Sequence, residues 1–386
     1  MQDRYKEYCV GCGLCEGLNI SHVMKDDKGF IHPTTGDDRW FEQVCPCGGH
    51  QLKWMDPHSM WGRSCAVYYG WSTDDGLRNL ASSGGILSET AAWLLEQGLV
   101  DAVIHTCADP NDPTKTISCF STTRQEVVER SGSRYAISHP LEVIASLERE
   151  KKYAFVGKPC DVIALKNYME LQPDLQKCIV YTLSFFCAGL PSEAAQSKLL
   201  SHLGCDNNTV ESLRYRGDGW PGYTTAVTKD HQQHRTDYAT AWGKILGRDI
   251  MKMCRFCLDG IGESADISCG DAWFMDENHK PVFSEGKGRN VIFARTEKGK
   301  ILLESIIAEG KIAVEPAPLE ELPQIQAYQQ DRKATMIGKI LALAISGRPS
   351  PRYRLRSLLG YSKAVPLGKH LKIILGTLKR IWNGKI

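Results

Sequence analysis

SSGGILSETAAWLLEQGLVDAVIHT, residues 82–106, changes period partway along. Small residues open it, apolar residues then recur at helical spacing, and β-branched residues close it. This reads as a glycine loop, an amphipathic helix over 85–97 and a buried strand at 100–106. The same alternation continues downstream. A helix is predicted at 139–152, a strand at 153–157, a KPC turn, a helix at 161–171, a strand at 178–187 and a helix at 191–204. Strands alternating with helices predict an α/β fold, a mostly parallel central sheet with ligand-binding loops at the strand ends. Residues 208–300 are richer in short polar strands. Upstream of residue 66, Gly, Pro, Asp and Trp cluster as they do in loops, and that segment cannot form a core unaided. Three regions follow: an N-terminal cysteine-rich segment, 1–65; an α/β catalytic region, 66–320; and a basic helical C-terminal tail, 321–386.

With 386 residues, 42% of them hydrophobic and 24% charged, the chain can bury a sizeable core. A formal net charge of +2 argues against general nucleic-acid binding. No apolar run is long enough to span a bilayer, and the N-terminus MQDRYKEYC has no signal-peptide core. The expected location is therefore the cytoplasm. Fifteen cysteines in that compartment point to metal or redox chemistry rather than disulfides.

The motif CVGCGLC sets Cys9, Cys12 and Cys15 at CxxCxxC spacing, and Gly11 and Gly13 permit the turns that would wrap three thiolates around one corner of a cubane. Cys45, followed by Pro46, is the candidate fourth ligand, with Cys47 in reserve. Four thiolates also suit zinc, but zinc ribbons use two separated CxxC pairs. A second group is dispersed: Cys160 in FVGKPCDVIALK, Cys187 in SFFCAGLPSE, and Cys254 and Cys257 in CRFC. On spacing alone Cys160 and Cys187 read equally well as ligands or as small buried core residues.

These motifs, with ASSGGILS, GSRYAIS, CAGLPS, RYRGDGWPG and CRFCLDGIGESADISCGDAW, occur in an order that resembles the coenzyme F420-reducing hydrogenase beta-subunit family. That family is in turn similar to the ferredoxin-dependent vinyl and hydroxymethyl reductases of chlorophyll metabolism. The resemblance covers roughly residues 8–310. It implies an iron–sulfur flavoprotein with FAD and one or two [4Fe-4S] clusters, the first on Cys9, Cys12, Cys15 and Cys45, the second on Cys160, Cys187, Cys254 and Cys257. The implied flavin-binding residues are Ser82, Ser83, Gly84, Gly85, Ser133, Arg134, Tyr135, Gly157, Lys158, Gly270 and Asp271. Tyr135, His139 and Asp271 are the implied catalytic proton donors. Cys269 is expected to pack near the flavin, and Cys65, Cys107, Cys119, Cys178 and Cys205 belong to no motif.

Clusters move single electrons and flavin handles pairs, so the resemblance implies a one-to-two-electron converter. Reduced ferredoxin or reduced coenzyme F420 is the expected donor, because no GxGxxG follows a strand. F420 would then be a further cofactor. Two readings stand: a reductase with its own organic substrate, or an electron-transfer subunit of a larger redox complex. Assembly as a homo-oligomer is compatible with either. From Arg348 to Ile386 there are ten Lys or Arg and no Asp or Glu. A helix there would set Leu371, Ile374, Leu378 and Ile381 on one face, apart from the cofactor region. Such a tail suits contact with the inner membrane face, and hence a lipid-linked substrate, as well as packing on the protein's own domain or on an acidic partner.

Overall fold

The computed structural model describes residues 1–49, 53–278, 280–384 and 386. Its strands in chain order are β1 (Val23–Lys25), β2 (Ile31–Pro33), β3 (Ala66–Ser72), β4 (Ala102–Ala108), β5 (Thr116–Ser121), β6 (Tyr153–Gly157), β7 (Ile179–Phe185), β8 (Val210–Arg214), β9 (Thr224–Thr228), β10 (Gln233–Thr236), β11 (Ile267–Asp271), β12 (Asn290–Ala294) and β13 (Ile312–Pro316). Eight of them form one sheet in the order β13-β3-β12-β11-β7-β6-β4-β5. The middle four, β11, β7, β6 and β4, run parallel, and both flanks continue antiparallel. Connection length accounts for the difference. The helix Pro159–Leu171 supplies the crossover that parallel β6 and β7 need, whereas β4 returns to β5 through a short loop as a hairpin.

Side chains alternate between two cores, as the two-residue period of a strand requires. Val103, Ala154, Leu183 and Ile292 pack under the helices Ile86–Glu96 and Glu297–Ala308. Ala102, Ile104, Phe155 and Ile179 pack on the other face with Val162 and Leu165 of the crossover helix. A three-stranded antiparallel sheet, β10-β9-β8, shares a smaller core with the helix Glu193–His202.

One expected element takes a different form. Residues 139–152 hold a short 3-10 helix, Glu142–Ser146, instead of an α-helix. The segment is pinned at its start, where Leu141 N–H donates to the Cys12 carbonyl at 2.9 Å. A Cβ on Gly13 or Gly17 would collide with His139 or Glu142. Tertiary docking onto the cysteine loop thus overrides helical propensity.

The C-terminal region, expected to stand apart, closes over the N-terminal cysteine segment. Tyr5, Tyr8 and Phe41 share a core with Phe256 and with Met336, Leu343, Leu358 and Ile381. The Tyr8 hydroxyl donates to the Pro349 carbonyl at 2.7 Å, and the Tyr361 hydroxyl to that of Asp56 at 2.7 Å. Each of these regions supplies the apolar partner that the other lacks.

Lys333 of the helix Ala327–Ala334 meets Glu263 at 2.5 Å, with side chains 3% and 0% exposed. Burial raises the Glu263 pKa, and Lys333 opposes that rise. Lys333→Met should therefore cost about 3–5 kcal/mol at neutral pH, because it strands a buried charge. A carboxyl whose folded pKa lies above its unfolded value binds a proton on folding, so the deficit should shrink as pH falls towards 5. Denaturant titration of parent and variant at two pH values checks both the size and the sign.

Candidate functional site

The carboxyl ends of the parallel strands carry the candidate chemistry. In the first cysteine neighbourhood Gly11 and Gly13 adopt φ +64° and +82°, left-handed values that glycine tolerates and that bend Cys9–Cys15 into a tight loop. The Gly11 N–H donates to Cys9 Sγ at 3.3 Å. Asp37 caps the helix Asp38–Val44 by accepting from Arg39 N–H, and that helix ends at Cys45. Cys45 has Cys9, Cys12 and Cys15 as electrostatic neighbours. Burial pushes the Cys9 thiol up to about 12 and raises Cys12, Cys15 and Cys45. Cys47 lies alongside, buried in the aromatic core with Tyr5 and Phe41.

The second neighbourhood is a cavity lined by Cys160, Cys187, Cys254 and Cys257. Cys160 lies in the first turn of the crossover helix after β6, Cys187 follows β7, Cys254 lies within the short helix Lys252–Arg255 and Cys257 just past it. Burial raises all four thiols, Cys254 to about 12. The Leu190 N–H donates to Cys254 Sγ at 3.4 Å. Arg332 and Lys158 bring cations into the same lining, and Arg332 donates to the Cys187 carbonyl at 2.6 Å. The Arg332 Nε is buried with no protein acceptor among the described residues. Val10 and Pro46, from the first neighbourhood, form part of the wall, so the two groups of thiols stand back to back. Among the described residues, no three His, Cys, Asp or Glu side chains close on a single metal ion.

A third group gathers where β11 ends. Ser133 N–H donates to Ser82 Oγ, which joins the SSGG loop to the GSRY loop. Asn290 donates to the Gly270 carbonyl at 3.0 Å, and its Oδ1 accepts from Ile86 N–H, at the start of the helix after Gly85, at 3.4 Å. Asp271 accepts two bonds from Arg216, each 3.0 Å, and one from Trp220 at 2.8 Å. Trp273 stacks on Trp220, and Tyr238 lies against the Arg216 guanidinium. Burial raises the Tyr135 pKa in spite of nearby Arg216, which keeps the phenol protonated at neutral pH.

Several sequence-predicted residues are engaged elsewhere. Arg134 directs its guanidinium to the carbonyls of Leu213, Pro113 and Lys115, so it is a strut and not a free cation. His139 Nδ1 lies 2.8 Å from the Gly11 carbonyl, on the cysteine loop. Lys158 lines the cysteine cavity and bonds Asp161 and Ser138, and the carbonyl of Gly157, the residue before it, accepts from Ser184. Ser83 donates to the Arg289 carbonyl at 3.0 Å. Gly84 is glycine because a Cβ there would sit 2.6 Å from the Gly70 carbonyl and 2.8 Å from Asn290. Backbone packing against the sheet therefore explains it. Cys269 is buried in the main core. Sequence reading missed Arg216 and Trp220 as site residues, although RYRGDGWPG, with its charged and aromatic residues between glycines, carries both.

Two family models match the chain: the N-terminal region of the coenzyme F420 hydrogenase/dehydrogenase beta subunit over residues 67–145, and its C-terminal region over 150–320. The coenzyme F420 hydrogenase subunit beta of Methanosarcina barkeri is 25% identical over 260 residues, 65% of this chain and 81% of that protein. The F420-dependent formate dehydrogenase subunit beta of Methanocaldococcus jannaschii is 26% identical over 66% of this chain and 62% of its own length. The chloroplastic 7-hydroxymethyl chlorophyll a reductase of Oryza sativa subsp. japonica is 24% identical over 365 residues, 88% of this chain and 72% of that protein. A chain of the F420-reducing [NiFe] hydrogenase complex from Methanosarcina barkeri superposes with a TM-score of 0.56 at 22% identity, covering 74% of this chain and 96% of its own, a likeness of fold.

Arg216 and Asp271 have side chains 4% and 17% exposed. Asp271→Ala should lower the unfolding free energy by about 3–5 kcal/mol by leaving the guanidinium unpaired, whereas Ser83→Ala, which removes one bond, should cost about 1 kcal/mol. Denaturation of the two variants side by side measures the contrast.

Proposed function

Because the chain belongs to the coenzyme F420 hydrogenase/dehydrogenase beta-subunit family, we propose that it is an iron–sulfur flavoprotein oxidoreductase that couples single-electron donors to a two-electron reduction. The observation that carries this reading is the back-to-back placement of the two cysteine neighbourhoods, with Val10 and Pro46 in the cavity of the second. Four half-buried thiols in a wall with two cations suit a multi-iron cluster, whose corners hold thiolates farther apart than one ion does. Cys9, Cys12, Cys15 and Cys45 would hold one [4Fe-4S] cluster and Cys160, Cys187, Cys254 and Cys257 the other. The unpartnered Arg332 Nε supports the second assignment, since a buried donor needs an acceptor. The groups, when bound, supply single-electron transfer at the clusters and paired-electron transfer at FAD.

The protein's own contribution is enclosure, charge and position. Leu190, Met251, Met253 and Leu258 line the second cavity with apolar surface that excludes water. The FAD would lie at the Ser82–Gly85 loop and the Gly270–Asp271 strand end. Phe186, whose ring packs against Gly270, immediately precedes Cys187 and so stands between that region and the second cavity. Asp271 is committed to Arg216 and Trp220, and His139 is held on the cysteine loop. Tyr135, protonated and electrostatically coupled to Arg216, is therefore the proton donor of choice.

Reduced ferredoxin or reduced F420 would supply the electrons, and the acceptor would be a small organic molecule. The rice reductase aligns over 88% of the chain, well past the residues that the family models reach, and this favours a reductase with its own substrate. The second reading, an electron-transfer subunit of a larger complex, rests on the relatives named as beta subunits.

Anaerobic reconstitution should yield about eight irons and one flavin per chain, and about four irons in either Cys12→Ala or Cys257→Ala. An unchanged iron count in Cys257→Ala would refute the second cluster. A colourless, flavin-free product would sink the whole reading.

A further inference from the structure

Among the described residues, eight of the twenty-two exposed large apolar side chains lie between Leu341 and Trp382. Four of them occupy the last helix, Leu367–Trp382: Leu367, Leu371, Leu375 and Trp382 are 76%, 55%, 67% and 79% exposed. At 3.6 residues per turn these positions fall within about 80° of arc, so they make one stripe along the helix. The helix also has an inner side. Thr377, Leu378 and Ile381 are buried, and Gly338 of the helix Met336–Ile345 lets the His370 carbonyl and Ile374 approach closely. Of the sequence-predicted face, Ile381 turns inward and Leu371 outward, while Leu378, about 20° from Leu371 around the helix, is covered where the stripe meets the packed side.

Cations border the outward stripe. Lys372 and Lys379 lie next to it by the same helical geometry, and both are exposed. From Arg348 onward the chain has ten Lys or Arg and no Asp or Glu. Lys369, on the far side, is the one cation of this helix that reaches an acidic group among the described residues, at Asp331. The family models end at residue 320, so this surface lies outside what they match.

We propose that this crest seats the protein on an anionic lipid surface, with the helix Leu367–Trp382 lying in the interface plane. An apolar stripe edged by lysines is the pattern that places hydrocarbon among acyl chains and ammonium groups among headgroups. A protein groove is the poorer fit. A groove must enclose a helix from both sides, and one side of this helix is already packed on its own domain. A plane needs only the crest. None of its residues lines the cysteine cavity, and the proposal does not depend on which cofactors the protein binds.

Flotation of the full-length, anaerobically purified protein tests this. It should float with vesicles containing phosphatidylglycerol at low salt and stay behind with phosphatidylcholine alone. Lys372→Gln with Lys379→Gln should weaken binding about thirtyfold, at about tenfold per 1.4 kcal/mol and about 1 kcal/mol per cation. Leu371→Gln with Leu375→Gln should abolish it. Both pairs are exposed, so each variant should keep the parental unfolding midpoint and iron content. Failure of the parent to float with phosphatidylglycerol vesicles, or unchanged flotation of both variants, overturns the proposal. So does a parent that is dimeric in light scattering and becomes monomeric in the leucine variant, since the crest would then belong to a second copy.

Discussion

The buried contact between Lys158 and Asp161, 2.8 Å long with side chains 9% and 0% exposed, constrains everything around it. Burial works against the Lys158 charge, and Asp161 more than restores it. Such a pair adds little net stability over an apolar equivalent, yet breaking it is expensive. Its consequence is therefore positional. It sets the start of the crossover helix so that Cys160 lines one cavity, while Asp161 stays within electrostatic reach of Cys12 of the other neighbourhood. Ser138, which accepts from Lys158 at 2.9 Å, ties the same point to the loop that docks on Cys9–Cys15. Two groups of thiols that are remote in sequence are thus held against one wall.

The rest of the architecture serves that wall. Parallel strands end in loops on one edge of the sheet, so β6 and β7, as neighbours, deliver Cys160 and Cys187 side by side. β11, next in the sheet, ends at Asp271 and opens the region proposed for the flavin. The N-terminal segment has too little apolar surface to fold alone and completes its core with residues from 253–258 and 336–381. Tyr353 lines the cysteine cavity, and its hydroxyl donates to the Phe256 carbonyl. The C-terminal region is therefore structural on its inner side. Only its outer side is left to interact with anything else.

That division of one helix into an inner and an outer apolar face has a general physical basis. A helix buried against its own domain needs apolar residues over about a third of its circumference. The helix Leu367–Trp382 has more than this, and the surplus, the stripe ending at Trp382, remains in water at a cost that some surface must offset. The neighbouring cations, unmatched by acidic residues in the same stretch, give that surface a sign.

Local order was legible in the sequence. Helical and strand periods located β4, β6, β7 and the helices Ile86–Glu96, Pro159–Leu171 and Glu193–His202 to within a few residues, because burial of one face imposes period on the chain wherever a sheet is covered by helices. β5 and the short helices Arg124–Glu129 and Pro173–Cys178 went unread. CxxCxxC and its glycines marked the first cysteine loop, because a tight turn leaves its requirements in adjacent residues. What period and spacing could not carry is contact between distant residues. The segment at 139–152 has helical character and yields it to docking on Cys12. Arg134, Gly84 and His139 have the right types for a cofactor site, and packing directs them to carbonyls, to the sheet backbone and to Gly11. Arg216 and Asp271, fifty-five residues apart, become one bonded pair only in the folded chain. The tail's basic and apolar character was plain from composition. Which of its leucines face the core and which face outward depended on where a second helix lay down, and that is a property of tertiary structure alone.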